Sequence, residues 1–290
     1  MKIAHSPGEL EPRPRAVALG TFDGVHLGHR RVLEVALSTG PALAPTVMTF
    51  WPHPRTVLGN EVRLLTTLER RLELLEEAGV GEALVVEFTA ELAQMEPELF
   101  VDELLRPIGT ELMVAGADFR FGRARRGDLQ TFEELGLPVR RVQLVPGISS
   151  TAIRGLLEEG NVEEASVLLG RPPEVEGVVV SGDARGGTLG YPTANLRVDP
   201  DLLVPAYGIY AGAAAGHRAA VSIGTNPHYG GRERRVEAFL LDFEGDLYGE
   251  RLIVELWRRL REERAFASEE ELVAQITHDV EETRAAERPD

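Results

Sequence analysis

Ala16-Val17-Ala18-Leu19-Gly20-Thr21-Phe22-Asp23-Gly24-Val25-His26-Leu27-Gly28-His29 decides how the first half of this chain folds. A short apolar run enters a glycine turn, and the spacing beyond it predicts a helix over residues 25–37, so the order is strand, turn, helix. His26 and His29 then share one face of the opening turn. Backbone N–H groups at a helix start carry partial positive charge, and imidazole donors beside them suit a triphosphate. Gly20 and Gly24 allow a nucleotide to approach the backbone closely. Two plainer readings stay open here: a histidine pair on a solvated face, and half of a metal site whose third ligand has no obvious candidate nearby.

Working outward, short apolar runs alternate with helical patterns, the rhythm of a parallel sheet with crossover helices. Strands are expected at 16–19, 46–50, 83–87, 112–115 and 139–144. Thr66 with Glu69, and Asn161 with Glu164, read as capping boxes. After Gly170-Arg171-Pro172-Pro173 the texture becomes short β runs at 176–180, 208–211, 219–223 and 237–242, which favours a small antiparallel barrel. Ser268 with Glu271 then starts a last helix, with Leu272, Val273, Ile276 and Val280 as its apolar stripe.

Bulk properties narrow the chemistry. At 290 residues two domains are expected, 1–170 and 171–290. A net charge of −16 argues against nucleic acid as the main partner. The absence of cysteine excludes thiolate nucleophiles and thiolate metal sites. Lys2 is the only lysine, so the phosphate loop G-x-x-x-x-G-K-[S/T] is absent and any triphosphate is held by other groups. No run approaches the roughly 20 apolar residues that span a bilayer, and the expectation is a cytoplasmic protein, monomeric or weakly self-associating.

A second constellation lies far downstream. The stretch 182–190 is a glycine-rich loop, with Gly182, Arg185, Gly186 and Gly190 placed to approach phosphates. It leads to Tyr191-Pro192-Thr193-Ala194-Asn195. In an extended segment Thr193 and Asn195 fall on the same side and offer hard oxygen ligands for Mg2+. A glycine turn followed by an Asx turn is the plainer reading. Upstream, Ser149, Ser150 and Thr151 can cap a helix while facing phosphate, with Arg154 as a fork-shaped cation.

The ordered set resembles the bacterial bifunctional riboflavin kinase and FMN adenylyltransferase family. Residues 20–29 are similar to its ATP-binding signature, including Gly20, Phe22, Asp23 and Gly24. Thr49-Phe50-Trp51-Pro52-His53-Pro54 resembles its second motif, Gly116-Ala117-Asp118-Phe119-Arg120-Phe121-Gly122 its third, and Ile148–Arg154 its fourth. The resemblance implies flavin contacts at Pro52, His53, Pro54, Asp118 and Phe121. Phe121 and Trp51 are the rings able to stack on an isoalloxazine, although core packing explains such aromatics equally well.

Pro192-Thr193-Ala194-Asn195 matches the kinase motif of the family, and Glu237 falls where its catalytic carboxylate is expected. The implied fold is a Rossmann-like nucleotidyltransferase domain followed by a small β-barrel with a terminal helix. ATP first phosphorylates riboflavin to FMN, and a second ATP then adenylylates FMN to FAD, both steps with Mg2+. His26 and His29 would stabilise adenylyl transfer, Ser150, Thr151 and Arg154 would hold phosphates, and Glu237 would be the kinase base. The sequence departs from the pattern at Gly187, His228-Tyr229 and Arg70. A nucleotidyltransferase of other specificity, related to pantetheine-phosphate or nicotinate-nucleotide adenylyltransferases, and a flavin-binding sensor are the competing readings.

Overall fold

The computed structural model describes residues 1–143, 145–181, 191–225 and 234–289. The chain divides into two compact units, Met1–Ser149 and Ser150–Asp290. The first contains β1 (Lys2–Ala4), β2 (Arg15–Leu19), β3 (Ala44–Trp51), β4 (Glu82–Glu87), β5 (Thr110–Gly116) and β6 (Val139–Val142). They pair in parallel in the order β1-β4-β3-β2-β5-β6. Its helices are α1 (Leu27–Leu37), α2 (Pro54–Val57), α3 (Leu68–Glu77), α4 (Ala90–Ala93), α5 (Pro97–Phe100) and α6 (Leu129–Glu134), with a π turn at Val101–Leu105 continuing α5.

A parallel sheet is covered on both faces, so its strands are buried along their length rather than on alternate residues. β2 is buried at all five positions. Val17, Leu19, Met48 and Phe50 point to one face with Phe100, Ile108 and Phe132. Ala18, Val47, Ala83 and Val85 point to the other, against Val32 and Leu33 of α1 and Leu72 and Leu75 of α3. From β2 the chain moves to β3 and β4 on one side, then returns to β2's other edge as β5. That reversal makes the C-terminal ends of β2 and β5 a topological switch point, the place where open α/β sheets bind ligands.

The opposite ends of these strands are clamped by a buried ion pair. Arg15 Nε donates to Glu82 Oε1 at 2.7 Å, Thr46 Oγ1 donates to the same oxygen at 2.8 Å, and Arg13 Nη2 reaches Oε2 at 3.0 Å. Arg15 also donates from Nη1 to the carbonyls of Ile108 and Glu11. One guanidinium therefore ties β2 to β4 and to the segment entering β5. β1, a three-residue strand beside β4, carries too little pattern to be expected from sequence.

The second unit begins with α7 (Ser150–Glu159) and α8 (Val162–Leu169) and continues into β7 (Glu174–Val180), β8 (Ala194–Val198), β9 (Gly208–Ala214), β10 (His217–Thr225), β11 (Arg234–Leu240) and β12 (Arg251–Arg261). These strands close a barrel in the order β10-β11-β8-β7-β12-β9, every pair antiparallel. Burial now alternates: in β11, Val236, Ala238 and Leu240 point inward, while Arg235, Glu237 and Phe239 point outward. Register shifts between Leu256 and Arg258 and between Arg259 and Arg261 bend β12 around the barrel. Gly212 of β9 faces β12 so closely that a Cβ there would lie 1.8 Å from the Glu255 carbonyl oxygen.

The final helix, α9 (Glu269–Ala285), packs on β9 and β10. Ser268 caps it by accepting from the Glu271 N–H at 3.2 Å. Its expected apolar stripe is only half-buried; the fully buried positions are Asp279 and Thr283. Asp279 is buried because Arg261 forks onto it, with Nη2 at 2.8 Å and Nε at 3.0 Å. No described helix is long and apolar enough to cross a membrane.

Several local expectations are corrected. Thr67, not Thr66, caps α3, accepting from the Arg70 N–H at 3.0 Å, because Thr66 is drawn inward by Asp23. Asn161 precedes α8 without a side-chain cap bond. Val25 has φ +40° and lies outside α1, which starts at Leu27. β6 ends at Val142, β11 ends at Leu240 with Asp242 in a turn, and the strands β8 and β12 were not anticipated.

Two outcomes are expected. Glu82→Gln leaves a buried guanidinium without its counter-charge and should destabilise the first unit by about 3 kcal/mol in urea unfolding. The two tryptophans, Trp51 and Trp257, fall one in each unit, so Trp51 fluorescence in a Trp257→Phe background reports the first unit alone. Burial opposes ionisation of Glu82, but hydrogen bonds from Arg15 and Thr46 and the charges of Arg15 and Arg13 outweigh it, holding its carboxyl below the ordinary 4.5. Its contribution is therefore complete above that value and is lost as pH falls through the lowered one; the Gln variant should lack this acid-range loss. Gly212→Ala should cost the barrel about 3 kcal/mol by forcing β9 from β12, read by Trp257 fluorescence in a Trp51→Phe background.

Candidate active sites

Sheet topology assembles the first site. Residues 20–29 leave the C-terminal end of β2, residues 52–54 that of β3, and residues 117–121 that of β5, and these three strands are neighbours. Residues up to about a hundred positions apart therefore leave the same end of the sheet, at the switch point.

The turn after β2 is held from several sides. The Gly20 N–H donates to the Met48 carbonyl at 3.2 Å, and Thr49 Oγ1 donates to the Thr21 carbonyl at 3.1 Å. Phe22 and Gly24 have φ of +50° and +82°. A Cβ on Gly24 would lie 2.7 Å from Leu65 Cδ1, so both its φ and its surroundings require glycine.

Asp23 is fully buried and works from inside the loop. Its carboxylate accepts from the N–H groups of Leu65 (3.1 Å) and Thr66 (3.2 Å) and from Thr66 Oγ1 (3.2 Å). Thr66 Oγ1 in turn accepts from the Gly24 N–H at 3.2 Å. Arg71, also fully buried, sets Nη2 3.5 Å from Asp23 Oδ1, donates from Nη1 to the Phe50 carbonyl, and lies 5.4 Å above the Trp51 ring. Asp23, a candidate ATP contact, thus spends its oxygens on shaping the turn. Thr66 and Arg71 were missed as members of this network. A signal was present: Arg71 occupies an apolar register position between Leu68 and Leu75, where a charge needs a partner.

His26 is the N-cap of α1, and its Nδ1 accepts from the His29 N–H at 3.2 Å. An acceptor at Nδ1 places the ring proton on Nε2, so neutral His26 presents an N–H donor there. The His29 ring stacks on it with centroids 3.6 Å apart and planes 13° from parallel, and Phe22 packs edge-on to His29 at 5.3 Å. The two imidazoles form one stack at the positive end of α1. Among the described residues no group of three or more His, Asp or Glu could hold a metal ion, so the half-metal-site reading finds no third ligand.

Beyond β3, Pro52 follows Trp51 through a cis bond, and His53 caps α2 by accepting from the Arg55 N–H at 3.2 Å, with Pro54 as its first residue. Beyond β5, Asp118 is exposed. Phe121 is buried with one ring face on Phe132, 4.1 Å away and 4° from parallel, and its backbone pairs with Gly127 at 3.0 Å. Trp51 is half-buried, with the Arg71 guanidinium over its ring. Ser150, Thr151 and Arg154 belong to the second unit, in the first turns of α7, where Ser150 and Arg154 share a face.

The barrel gathers the second constellation. Asn195 of β8 stands directly opposite Glu237 of β11, so both side chains project from the same outer surface. Thr193 Oγ1 donates to Glu237 Oε2 at 3.1 Å. Arg235, two residues before Glu237 and on the same side, sets Nε 2.7 Å from Glu237 Oε1. It also donates to Asn195 Oδ1 from Nε at 3.0 Å and from Nη2 at 2.8 Å. Tyr191 packs edge-on to Phe239 at 5.3 Å and bonds Thr277 of α9 at 2.9 Å. Arg235 was not anticipated, although its period-2 spacing from Glu237 was visible. Gly182, Arg185, Gly186 and Gly190, with the departures Gly187 and His228-Tyr229, lie outside the described residues.

Residues 9–152 match the family model FAD synthetase, and residues 169–286 match riboflavin kinase. The bifunctional riboflavin kinase/FMN adenylyltransferase of Listeria monocytogenes is 38% identical over 93% of this chain and 92% of its own. That of Bacillus subtilis is 35% identical over 94% and 92%. A crystal structure from Streptococcus pneumoniae, described as a macrolide-efflux protein, has a TM-score of 0.89 at 32% identity, covering 98% of this chain and 99% of that one. With one constellation in each unit, and relatives that span both, the chain belongs to the family of bifunctional riboflavin kinase/FMN adenylyltransferases.

Proposed function

We propose that the two activities of the family are divided between two sites: adenylyl transfer on the parallel sheet, within residues 1–170, and riboflavin phosphorylation on the barrel, within residues 171–290. The enzyme makes flavin cofactors, phosphorylating riboflavin to FMN and adenylylating FMN to FAD with ATP. The observation carrying the division is chemical: the sheet's switch point presents an imidazole stack at a helix start, whereas the barrel presents hydroxyl, amide and carboxylate oxygens together.

In adenylyl transfer an FMN phosphate oxygen attacks the α-phosphorus of ATP and the bond to pyrophosphate breaks, so charge builds on phosphate oxygens. The Nε2–H of His26, the His29 ring and the start of α1 are donors aimed at that charge and organised before the substrate arrives. Gly20, Phe22 and Gly24 shape the nucleotide cradle, which Asp23 holds from behind. Ser150, Thr151 and Arg154, at the start of α7, are proposed to bind phosphate, with backbone N–H groups and a guanidinium fork as the donors. Pro52, His53, Pro54 and Asp118 line the flavin side, with Phe121 anchoring the loop that carries Asp118.

In the kinase step the ribityl 5′-hydroxyl attacks the γ-phosphorus, and ADP leaves. Glu237 takes the hydroxyl proton as the O–P bond forms. Thr193 Oγ1 and Asn195 Oδ1 are hard oxygen atoms within one cluster, the ligand type that Mg2+ takes, and they would hold that ion once Arg235 leaves Asn195. When bound, that ion neutralises phosphate charge. Gly182, Arg185, Gly186 and Gly190 serve as the phosphate-facing loop of this site. The assembly is proposed to work in the cytoplasm, as a monomer or weak oligomer.

His29→Ala should leave FMN formation from riboflavin within about twofold of normal while lowering FAD formation at least about a hundredfold, as loss of a preorganised charge-stabilising donor does. Glu237→Ala should abolish FMN formation yet still convert supplied FMN to FAD. Chromatographic separation of riboflavin, FMN and FAD reads both; a single change removing both activities from a folded protein overturns the division. Stripping Mg2+ with EDTA should stop both steps, and returning Mg2+, but not Na+, should restore them.

A further inference from the structure

Arg235 sits where a cation is wanted. Its Nε and Nη2 both point at Asn195 Oδ1, at 3.0 and 2.8 Å, while Nε also lies 2.7 Å from Glu237 Oε1. Asn195 is nine-tenths buried, so its amide oxygen has little access to other donors. An amide oxygen has two lone pairs, and the guanidinium fork takes both. Thr193 Oγ1 completes the ring by bonding the other oxygen of Glu237 at 3.1 Å.

Mg2+ requires near-octahedral oxygens at about 2.1 Å and cannot share Oδ1 with two N–H donors on the same lone pairs. Nor can a divalent ion sit beside a fixed guanidinium in a part-buried cluster without strong repulsion. The two cations are alternatives. We propose that Arg235 is a built-in stand-in for the metal: it holds Asn195 and Glu237 in place and withdraws as Mg2+ binds with the nucleotide. This rests on the reading of Thr193 and Asn195 as metal ligands. One exchange then does two things. It hands Asn195 Oδ1 to the metal and releases Glu237 Oε1 from its ion pair, so the carboxylate becomes available to the substrate hydroxyl only once the phosphate donor is present.

The test is isothermal titration of Mg2+ into full-length protein with saturating ADP, comparing wild type, Arg235→Ala, Arg235→Lys and Asn195→Ala, each checked for fold by circular dichroism. Removing a competing charged hydrogen-bond pair should lower the half-saturating Mg2+ concentration about tenfold in Arg235→Ala. Arg235→Lys, which keeps the charge but cannot fork onto Asn195, should fall between, and it carries the test where the Ala variant does not fold. Asn195→Ala should raise the concentration. In kinase assays the apparent KM for Mg2+ should fall with Arg235→Ala, in parallel with the titration. An unchanged or raised half-saturation in Arg235→Ala, with Asn195→Ala impaired, overturns the proposal and makes Arg235 a fixed brace. Wild-type Mg2+ binding in Asn195→Ala overturns the metal-ligand reading and the proposal with it.

Discussion

A buried carboxylate keeps the first site in shape. Asp23 accepts hydrogen bonds from Leu65, Thr66 and the Thr66 hydroxyl, and Arg71 supplies the nearby positive charge. A buried charge without such partners costs several kcal/mol, so the loop and the segment before α3 are obliged to stay together. The backbone conformations at Phe22, Gly24 and Val25, all with positive φ, are sustained by that constraint. The imidazole stack inherits its position from the same turn, because His26 caps the helix the turn delivers.

The two units solve burial in different ways, and their sites differ accordingly. The parallel sheet is covered on both faces, which leaves the strand ends as the place where polar chemistry can gather. The barrel buries only alternate residues, which leaves a whole outer surface of each strand for polar groups, and Asn195, Arg235 and Glu237 use it. Donors at the strand ends suit charge on a phosphate held among them. Oxygens gathered on the part-buried outer face of neighbouring strands suit a proton transfer.

At the other end of the sheet, Arg15 and Glu82 perform the stabilising task that the switch point cannot. Their ion pair joins β2 to β4 across the intervening β3, whose Thr46 bonds the same carboxylate, and it spends its hydrogen-bonding capacity inside the protein. Stability and chemistry thus occupy opposite ends of the same strands, the arrangement expected when catalytic polar groups must face an opening.

The amino-acid sequence by itself determined the fold class and the change of texture near Gly170, and it nominated candidate residues for both constellations, because these follow from local periodicity, turn chemistry and ordered motifs. It did not reveal that Thr67 rather than Thr66 caps α3, that Asp23 faces inward, or that Phe121 packs on Phe132. Nor did it find β8, a five-residue strand, or β12, whose partners β7 and β9 are remote in sequence. Only tertiary structure decided these points, since each depends on which distant group competes for a side chain: Asp23 wins Thr66 from the helix, and Arg235 wins Asn195. Propensity and spacing describe what a residue can do nearby, whereas burial and long-range partners decide which of those options it takes.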